Sequence, residues 1–86
     1  MAKPRFTIYR KVPCAYCEAA EKLLAQRGIP YQDVDLTGRE GDILALKERF
    51  GHYTVPIILF DDKLLGGYNE LVALDRLGQL KVMMGT

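Results

Sequence analysis

The feature that most constrains this chain is a pair of cysteines, Cys14 and Cys17, at the start of an amphipathic helix that directly follows a short strand. Residues 6–9 are rich in strand-forming side chains, and Pro13 keeps the residue before it out of the helical region. From Cys14 onward, apolar residues recur at helical spacing as far as Gly28, which is placed to end the helix. This arrangement predicts an α/β domain with the two cysteines at a strand-to-helix junction.

The rest of the chain continues to alternate between strand and helix patterns. The predicted strands cover residues 6–9, 31–36, 57–60 and 64–65, and the later predicted helices cover residues 42–50 and 69–77, with 79–86 a tail that could form one more helical turn. Asp42 is expected to cap the second helix, whose predicted inward side chains are Ile43, Leu44, Leu46 and Phe50. A strand, a helix and a strand joined by short connections form a right-handed unit with parallel strands. The predicted fold class is therefore α/β, a four-stranded mixed sheet flanked by helices in the order β-α-β-α-β-β-α.

Length and charge limit the domain organisation and the kinds of partner. The 86 residues suffice for one compact domain and are too few for two, so residues 1–86 are predicted to form a single domain. The 12 basic and 11 acidic residues are mixed along the chain, which argues against binding to nucleic acid or to a membrane surface. No signal peptide and no membrane-spanning segment is recognisable, so a cytoplasmic location is expected.

The two cysteines are predicted to have a chemical role. Structural disulfides are rare in the cytoplasm, and a bridge over so short a separation restricts the unfolded chain little. The first N–H groups of a helix lack partners and favour a thiolate beside them, which is where Cys14 lies. Cys17 lies one turn later on the apolar face, where a thiolate is less favoured. Cys14 is therefore the predicted catalytic nucleophile, and Cys17 is the predicted resolving thiol that attacks the Cys14 sulfur in a mixed disulfide.

Two other interpretations of the cysteines, and one of a histidine, stay open at this point. A zinc site needs four ligands, and the chain has no second cysteine pair to supply them. Two incidentally buried cysteines would be inert. His52 lies in a loop and is either a proton shuttle or a surface side chain, and we favour the surface position. No metal site is predicted.

Two further motifs accompany Cys14-Ala15-Tyr16-Cys17. They are Thr54-Val55-Pro56, and Gly66-Gly67 followed by Tyr68-Asn69-Glu70. With all of them in this order and at these separations, the chain resembles a glutaredoxin of the thioredoxin superfamily from residue 6 to about residue 80. The resemblance implies a thioredoxin-like fold. It also implies an oxidoreductase that uses glutathione to reduce protein disulfides and protein–glutathione mixed disulfides through a redox-active cysteine pair.

The same resemblance implies a glutathione site. The Val55–Pro56 peptide is expected to be cis and to face the cysteines, which leaves the Val55 backbone free to pair with the ligand. Lys11 would bind the glycine carboxylate, and Asn69, at a helix start, would hold the γ-glutamyl end. The implied glutathione-binding set is Lys11, Tyr16, Thr54, Val55, Pro56, Gly67, Tyr68 and Asn69.

Departures from the usual glutaredoxin pattern raise two alternatives. Ala15 stands where many of these proteins have proline, and some members without that proline hold a [2Fe-2S] cluster between two chains. The first alternative is therefore a cluster-binding dimer, acting as carrier or sensor, with Cys14 and glutathione as ligands; otherwise a monomer is expected. Asn69 replaces one residue of a frequent acidic pair, and Ile57 replaces a frequent glutamine. The second alternative is therefore a redoxin that is reduced by thioredoxin reductase instead of glutathione.

Overall fold

The computed structural model describes residues 4–83. Its strands are β1 (Phe6–Arg10), β2 (Tyr31–Asp35), β3 (Ile57–Phe60) and β4 (Lys63–Gly66), and its helices are α1 (Ala15–Gln26), α2 (Glu40–Phe50), α3 (Tyr68–Arg76) and α4 (Gln79–Met83). The predicted element order is confirmed, and the tail adds α4. Residues 1–3, part of the N-terminal stretch in which no signal peptide is recognisable, and residues 84–86 of the predicted tail lie outside the described residues. Within the described part of the chain, no helix combines the length and the apolar character needed to cross a bilayer.

The strands form one mixed sheet in the order β2-β1-β3-β4. β1 is parallel to β2, as expected for two strands joined through a helix, and antiparallel to β3. β3 and β4 form a hairpin whose turn residues, Asp61 and Asp62, both have left-handed backbone angles, φ 51° and φ 66°. Such angles match the right-handed twist of paired strands. The predicted four-stranded mixed sheet is therefore confirmed.

The core lies between the sheet and the helices α1, α3 and α4. Its buried cluster consists of Phe6, Ile8, Ala20, Leu24, Ile29, Ile58, Leu71 and Leu80. At the surface, the Arg27 guanidinium joins α1 to α3 through paired hydrogen bonds of 2.7 and 2.9 Å to the Asp75 carboxylate. This packing fixes the start of α1 against the start of β3, where the cysteines and Pro56 lie.

Helix α2 differs from the prediction at its start and on one face. It begins at Glu40 with Arg39 at the N-cap position, so Asp42 lies in the first turn, where its carboxylate pairs with Arg39 at 2.7 Å. Leu44 was predicted to face inward and is 52% exposed, whereas Ile43 is 2% exposed. Successive helical residues are rotated by about 100°. Because the Ile43 position is buried, the next position, Leu44, points away from the interior.

Candidate active site

Cys14 lies at the N-cap of α1, with an extended backbone that turns its side chain back over the helix start. Its Sγ accepts a hydrogen bond from the backbone N–H of Cys17 at 3.2 Å. On the other side, the Cys14 thiol donates to the carbonyl oxygen of Val55, with a sulfur–oxygen distance of 3.9 Å. The Cys17 N–H and the helix dipole both stabilise negative charge on this half-buried sulfur.

Cys17 has the opposite environment, because its side chain is only 1% exposed. Burial, followed by a hydrogen bond with Cys14, raises the pKa of the Cys17 thiol to about 12, and a backbone hydrogen bond from Lys11 opposes this shift. Cys17 therefore keeps its proton at neutral pH. The two sulfurs differ as nucleophiles because one lies at an open helix end and the other in the core.

A groove of about 320 Å³ adjoins Cys14, whose sulfur contacts the carbonyl oxygen of the lining residue Val55. It forms where the start of α1, the loop before β3 and the β4–α3 junction meet. Its lining residues are Tyr16, His52, Thr54, Val55, Pro56, Gly67, Tyr68, Asn69 and Glu70. Every member of the predicted glutathione-binding set except Lys11 is therefore in this groove.

The walls of the groove are partly aromatic and partly backbone. Tyr16 and Tyr68 face each other with ring centroids 5.7 Å apart. The Val55–Pro56 peptide is cis, as expected. Among residues 4–83, no protein acceptor pairs with the N–H of Val55. The groove thus offers flat apolar side chains and a free backbone donor.

The β4–α3 junction supplies the far wall. Glu70 folds back over the start of α3, and its Oε1 accepts the Gly67 N–H at 2.7 Å. One acidic side chain of the groove is therefore engaged in capping the helix, while the neighbouring Asn69 is exposed.

His52 is a groove residue that the sequence analysis assigned to the surface. Its Nε2 lies 3.1 Å from the hydroxyl oxygen of Thr54, and its ring packs on Gly67, where an added Cβ would lie 3.1 Å from Nε2. Its position two residues before Thr54 in the same loop was the available signal. That signal is weak because a loop can turn alternate residues away from one another.

Comparison with known proteins identifies the family. The glutaredoxin family profile matches residues 6–65, which is more than half of the chain and includes both cysteines and Pro56. The chain belongs to the glutaredoxin family. The family implies a thiol oxidoreductase, and the closeness of Cys14 and Cys17 is consistent with a redox-active pair.

Relatives and solved structures support this assignment. Glutaredoxin 3 of Escherichia coli K12 is 35% identical over 77 residues, which cover 90% of this chain and 93% of the relative. A Pseudomonas aeruginosa glutaredoxin is 32% identical over 81 residues, covering 94% and 96%. The buckwheat glutaredoxin–glutathione complex superposes with a TM-score of 0.83 at 31% identity, covering 93% of this chain and 76% of that one. The Brucella melitensis glutaredoxin gives a TM-score of 0.81 at 29% identity, covering 96% and 90%. The predicted thioredoxin-like fold is thereby confirmed.

Among the glycines of residues 4–83, Gly66 tolerates a side chain least. Its φ is +134°, and a Cβ would lie 2.6 Å from Cγ and Oε1 of Glu70. We expect Gly66→Ala to lower the free energy of unfolding by about 2 kcal/mol or more, because it adds backbone strain and displaces the carboxylate that caps Gly67. Urea unfolding measures this. The control is Gly41→Ala, at a helical site with nothing within 4 Å of its Cβ, which should not destabilise the chain. Equal stability of Gly66→Ala and the parent would contradict the expectation.

A polar cluster lies beside α1 at the end of β1. The Arg10 guanidinium donates to the Asp33 carboxylate at 2.6 and 3.0 Å, and its Nε lies 3.4 Å from Oε2 of Glu21. That Oε2 atom is buried and has no hydrogen-bond partner. Burial, followed by the hydrogen bond to Asp33 that the protonated acid makes, raises the pKa of Glu21 to about 6, and the charge of Arg10 opposes the shift.

This raised pKa predicts a specific pH dependence of stability. Folding raises the pKa of Glu21 from its ordinary 4.5 to about 6, so the folded chain holds this proton more tightly than the unfolded chain. The resulting contribution to the free energy of unfolding is complete when the pH is below 4.5, the ordinary pKa. It is lost as the pH rises through about 6, the pKa in the folded chain. We therefore expect Glu21→Gln to gain about 1–2 kcal/mol relative to the parent between pH ~4.5 and pH ~7.5, by urea unfolding. A difference between the two proteins that is the same at both pH values would contradict this.

Proposed function

We propose that this glutaredoxin uses glutathione to reduce protein disulfides and protein–glutathione mixed disulfides. The observation that supports this most is the asymmetry of the cysteine pair. Cys14 Sγ lies at a helix N-terminus beside an open groove, whereas Cys17 is buried and protonated. Stepwise thiol–disulfide exchange needs one sulfur, here Cys14, to attack the substrate and a second sulfur, here Cys17, to attack the resulting mixed disulfide.

In the first reaction, the Cys14 thiolate attacks the glutathione sulfur of a glutathionylated protein. A bond forms between that sulfur and Cys14, and the protein sulfur leaves as a thiolate with the electron pair of the broken bond. The thiolate of a second glutathione then attacks the same glutathione sulfur. Oxidised glutathione leaves, and the Cys14 thiolate is restored. A flavin reductase with NADPH would keep the glutathione reduced.

In the second reaction, Cys14 attacks one sulfur of a protein disulfide. Cys17 then attacks the Cys14 sulfur, expels the substrate thiolate and forms a Cys14–Cys17 disulfide. A glutathione thiolate then attacks the Cys14 sulfur, and Cys17 leaves as a thiolate that takes up a proton. A second glutathione thiolate attacks the sulfur of the bound glutathione, so that oxidised glutathione and the Cys14 thiolate are released. Only this route requires Cys17.

The groove supports glutathione as the ligand. Its volume of about 320 Å³ lies within the range of small-molecule sites. The unpaired Val55 N–H suits the backbone of an extended tripeptide, with Tyr16 and Tyr68 beside it. Asn69, at the start of α3, would hold the γ-glutamyl carboxylate. The similarity to the buckwheat glutaredoxin–glutathione complex favours the same ligand class.

Lys11 would bind the glycine carboxylate from outside the groove. Among the described residues, no carboxylate pairs with Lys11. We expect Lys11→Ala to raise the apparent KM for a glutathionylated peptide by about 3–10-fold, the effect of losing one exposed charged contact. The matched control is Lys22→Ala, an exposed lysine on α1 outside the groove, which should leave KM unchanged. Equal effects of the two substitutions would remove Lys11 from the site.

The test of the proposed function is turnover of a glutathionylated peptide with glutathione, glutathione reductase and NADPH. We expect sustained NADPH oxidation that depends on both the protein and glutathione. Turnover with thioredoxin reductase and none with glutathione would overturn the proposal. No observation on residues 4–83 favours that route or the [2Fe-2S] dimer.

A further inference from the structure

The reactions described above give no role to one half-buried acid, Glu21. Glu21 follows Cys17 by four residues on α1, a spacing that places two Cβ atoms about 6 Å apart on one helix face. The Glu21 side chain is 19% exposed, and its Oε2 is buried without a hydrogen-bond donor. The Arg10 Nε lies 3.4 Å from this atom in an ion pair, but no hydrogen bond satisfies it, which is unusual for a polar atom shielded from solvent.

The attack by Cys17 on the mixed disulfide requires a group that accepts the Cys17 proton. Cys17 must lose its proton to attack the mixed disulfide, yet its side chain is only 1% exposed to solvent. The Cys14 sulfur cannot accept that proton because it is bonded to the substrate. Arg10 is already a cation. Glu21 is a carboxylate whose charge acts on the Cys17 thiol, and a carboxylate can accept a proton.

We propose that Glu21 accepts the Cys17 proton through one bridging water molecule as Cys17 attacks the Cys14 sulfur. This inference rests on the proposed function. The S–H bond of Cys17 breaks, and its proton passes to the Glu21 carboxylate. The electron pair on the Cys17 sulfur forms the new bond to Cys14, and the substrate sulfur leaves with the electron pair of the broken bond. Protonated Glu21 then returns the proton to solvent.

The groups around Glu21 fit a temporary proton store. From β1, the Arg10 Nε lies 3.4 Å from Oε2, but Asp33 at 2.6 Å and Asp35 at 3.7 Å share the charge of Arg10. From β2, Asp33 can accept a hydrogen bond from protonated Glu21, and Tyr31 also faces it. On α1 itself, Glu18 and Cys17 are the titratable neighbours. The Glu21 carboxylate is thus ionised at neutral pH, and protonated Glu21 can donate a hydrogen bond to Asp33.

A purely electrostatic role predicts the opposite effect. The negative charge of Glu21 also disfavours a Cys17 thiolate, and by itself would slow resolution. Removing that charge would then speed the step, whereas removing a proton acceptor slows it. The direction of the change separates the two roles.

The experiment is a stopped-flow reaction with an aromatic disulfide whose thiolate product is coloured. The first colour phase reports the attack by Cys14, and the second reports the attack by Cys17 on the mixed disulfide. For Glu21→Gln we expect an unchanged first phase and a second phase slowed at least about tenfold at neutral pH. The inflection of the second phase near pH 6 in the parent should also disappear in this variant. Glu21→Asp should recover part of the rate.

The controls separate this inference from the proposed function. Glu48→Gln removes an exposed acid of a different helix, α2, and should leave both phases unchanged. Cys17→Ser should lose only the second phase. A second phase in Glu21→Gln that is as fast as in the parent, or faster, would overturn the role of Glu21 while leaving Cys14 as nucleophile. A parent protein without a first phase would overturn the proposed function and this inference together.

Discussion

Cys14→Ser is expected to lower the turnover of a glutathionylated peptide by at least about a thousandfold, because a serine hydroxyl stays protonated where a thiol can ionise. NADPH oxidation coupled to glutathione reductase measures the loss. Serine is a preferred N-cap residue, and its oxygen can accept the same Cys17 N–H. The stability of α1 should therefore be kept, and the loss of rate is chemical.

Two comparisons make this result interpretable. Urea unfolding of Cys14→Ser should give a free energy no lower than that of the parent, which excludes unfolding as the cause. Ala15→Ser places the same hydroxyl on the neighbouring exposed residue and should leave turnover unchanged. Turnover by Cys14→Ser within about tenfold of the parent would mean that another group attacks the substrate.

Cys17→Ser is expected to separate the two reactions. Reduction of a protein disulfide should fall by about a hundredfold, because an intramolecular attack is replaced by attack from free glutathione. Turnover of a glutathionylated peptide should stay within about threefold of the parent rate, because glutathione itself resolves the Cys14 mixed disulfide. The measurement compares both substrates with one preparation of the variant.

The ratio of the two rates matters more than either rate alone. Since Cys17 is buried, a serine in its place leaves a hydroxyl in the core and lowers stability. A partly unfolded variant would lose both activities in proportion. Equal loss with the two substrates in a variant that remains folded by circular dichroism would contradict the assignment of Cys17 as the resolving thiol.

The sequence predicted the fold well where local patterns determine it. β3 is an unbroken apolar run, and α1 has apolar residues at helical spacing, so both elements could be located from the chain alone. The start of α2 was misplaced because several polar residues compete for its N-terminus. Asp42 forms its contact with Arg39 from within the first turn and not from the cap.

The site was predictable to the extent that its residues follow one another in sequence. The contact of Cys14 with the N–H of Cys17 arises within one helical turn. The cluster around Glu21 could not be anticipated, because Arg10 meets Asp33 only through the pairing of two parallel strands. Nothing local specifies that register.

The most direct test uses Cys17→Ser, which leaves Cys14 as the single cysteine of a chain that has two. Its reaction with oxidised glutathione is followed by intact-protein mass, in buffer and in urea. Activation of Cys14 at the helix N-terminus predicts one glutathionyl group, added much faster to the folded chain than to the unfolded chain and removed by reduced glutathione. A folded chain that reacts no faster than the unfolded one would contradict the central claim that this fold makes Cys14 a glutathione-reactive nucleophile.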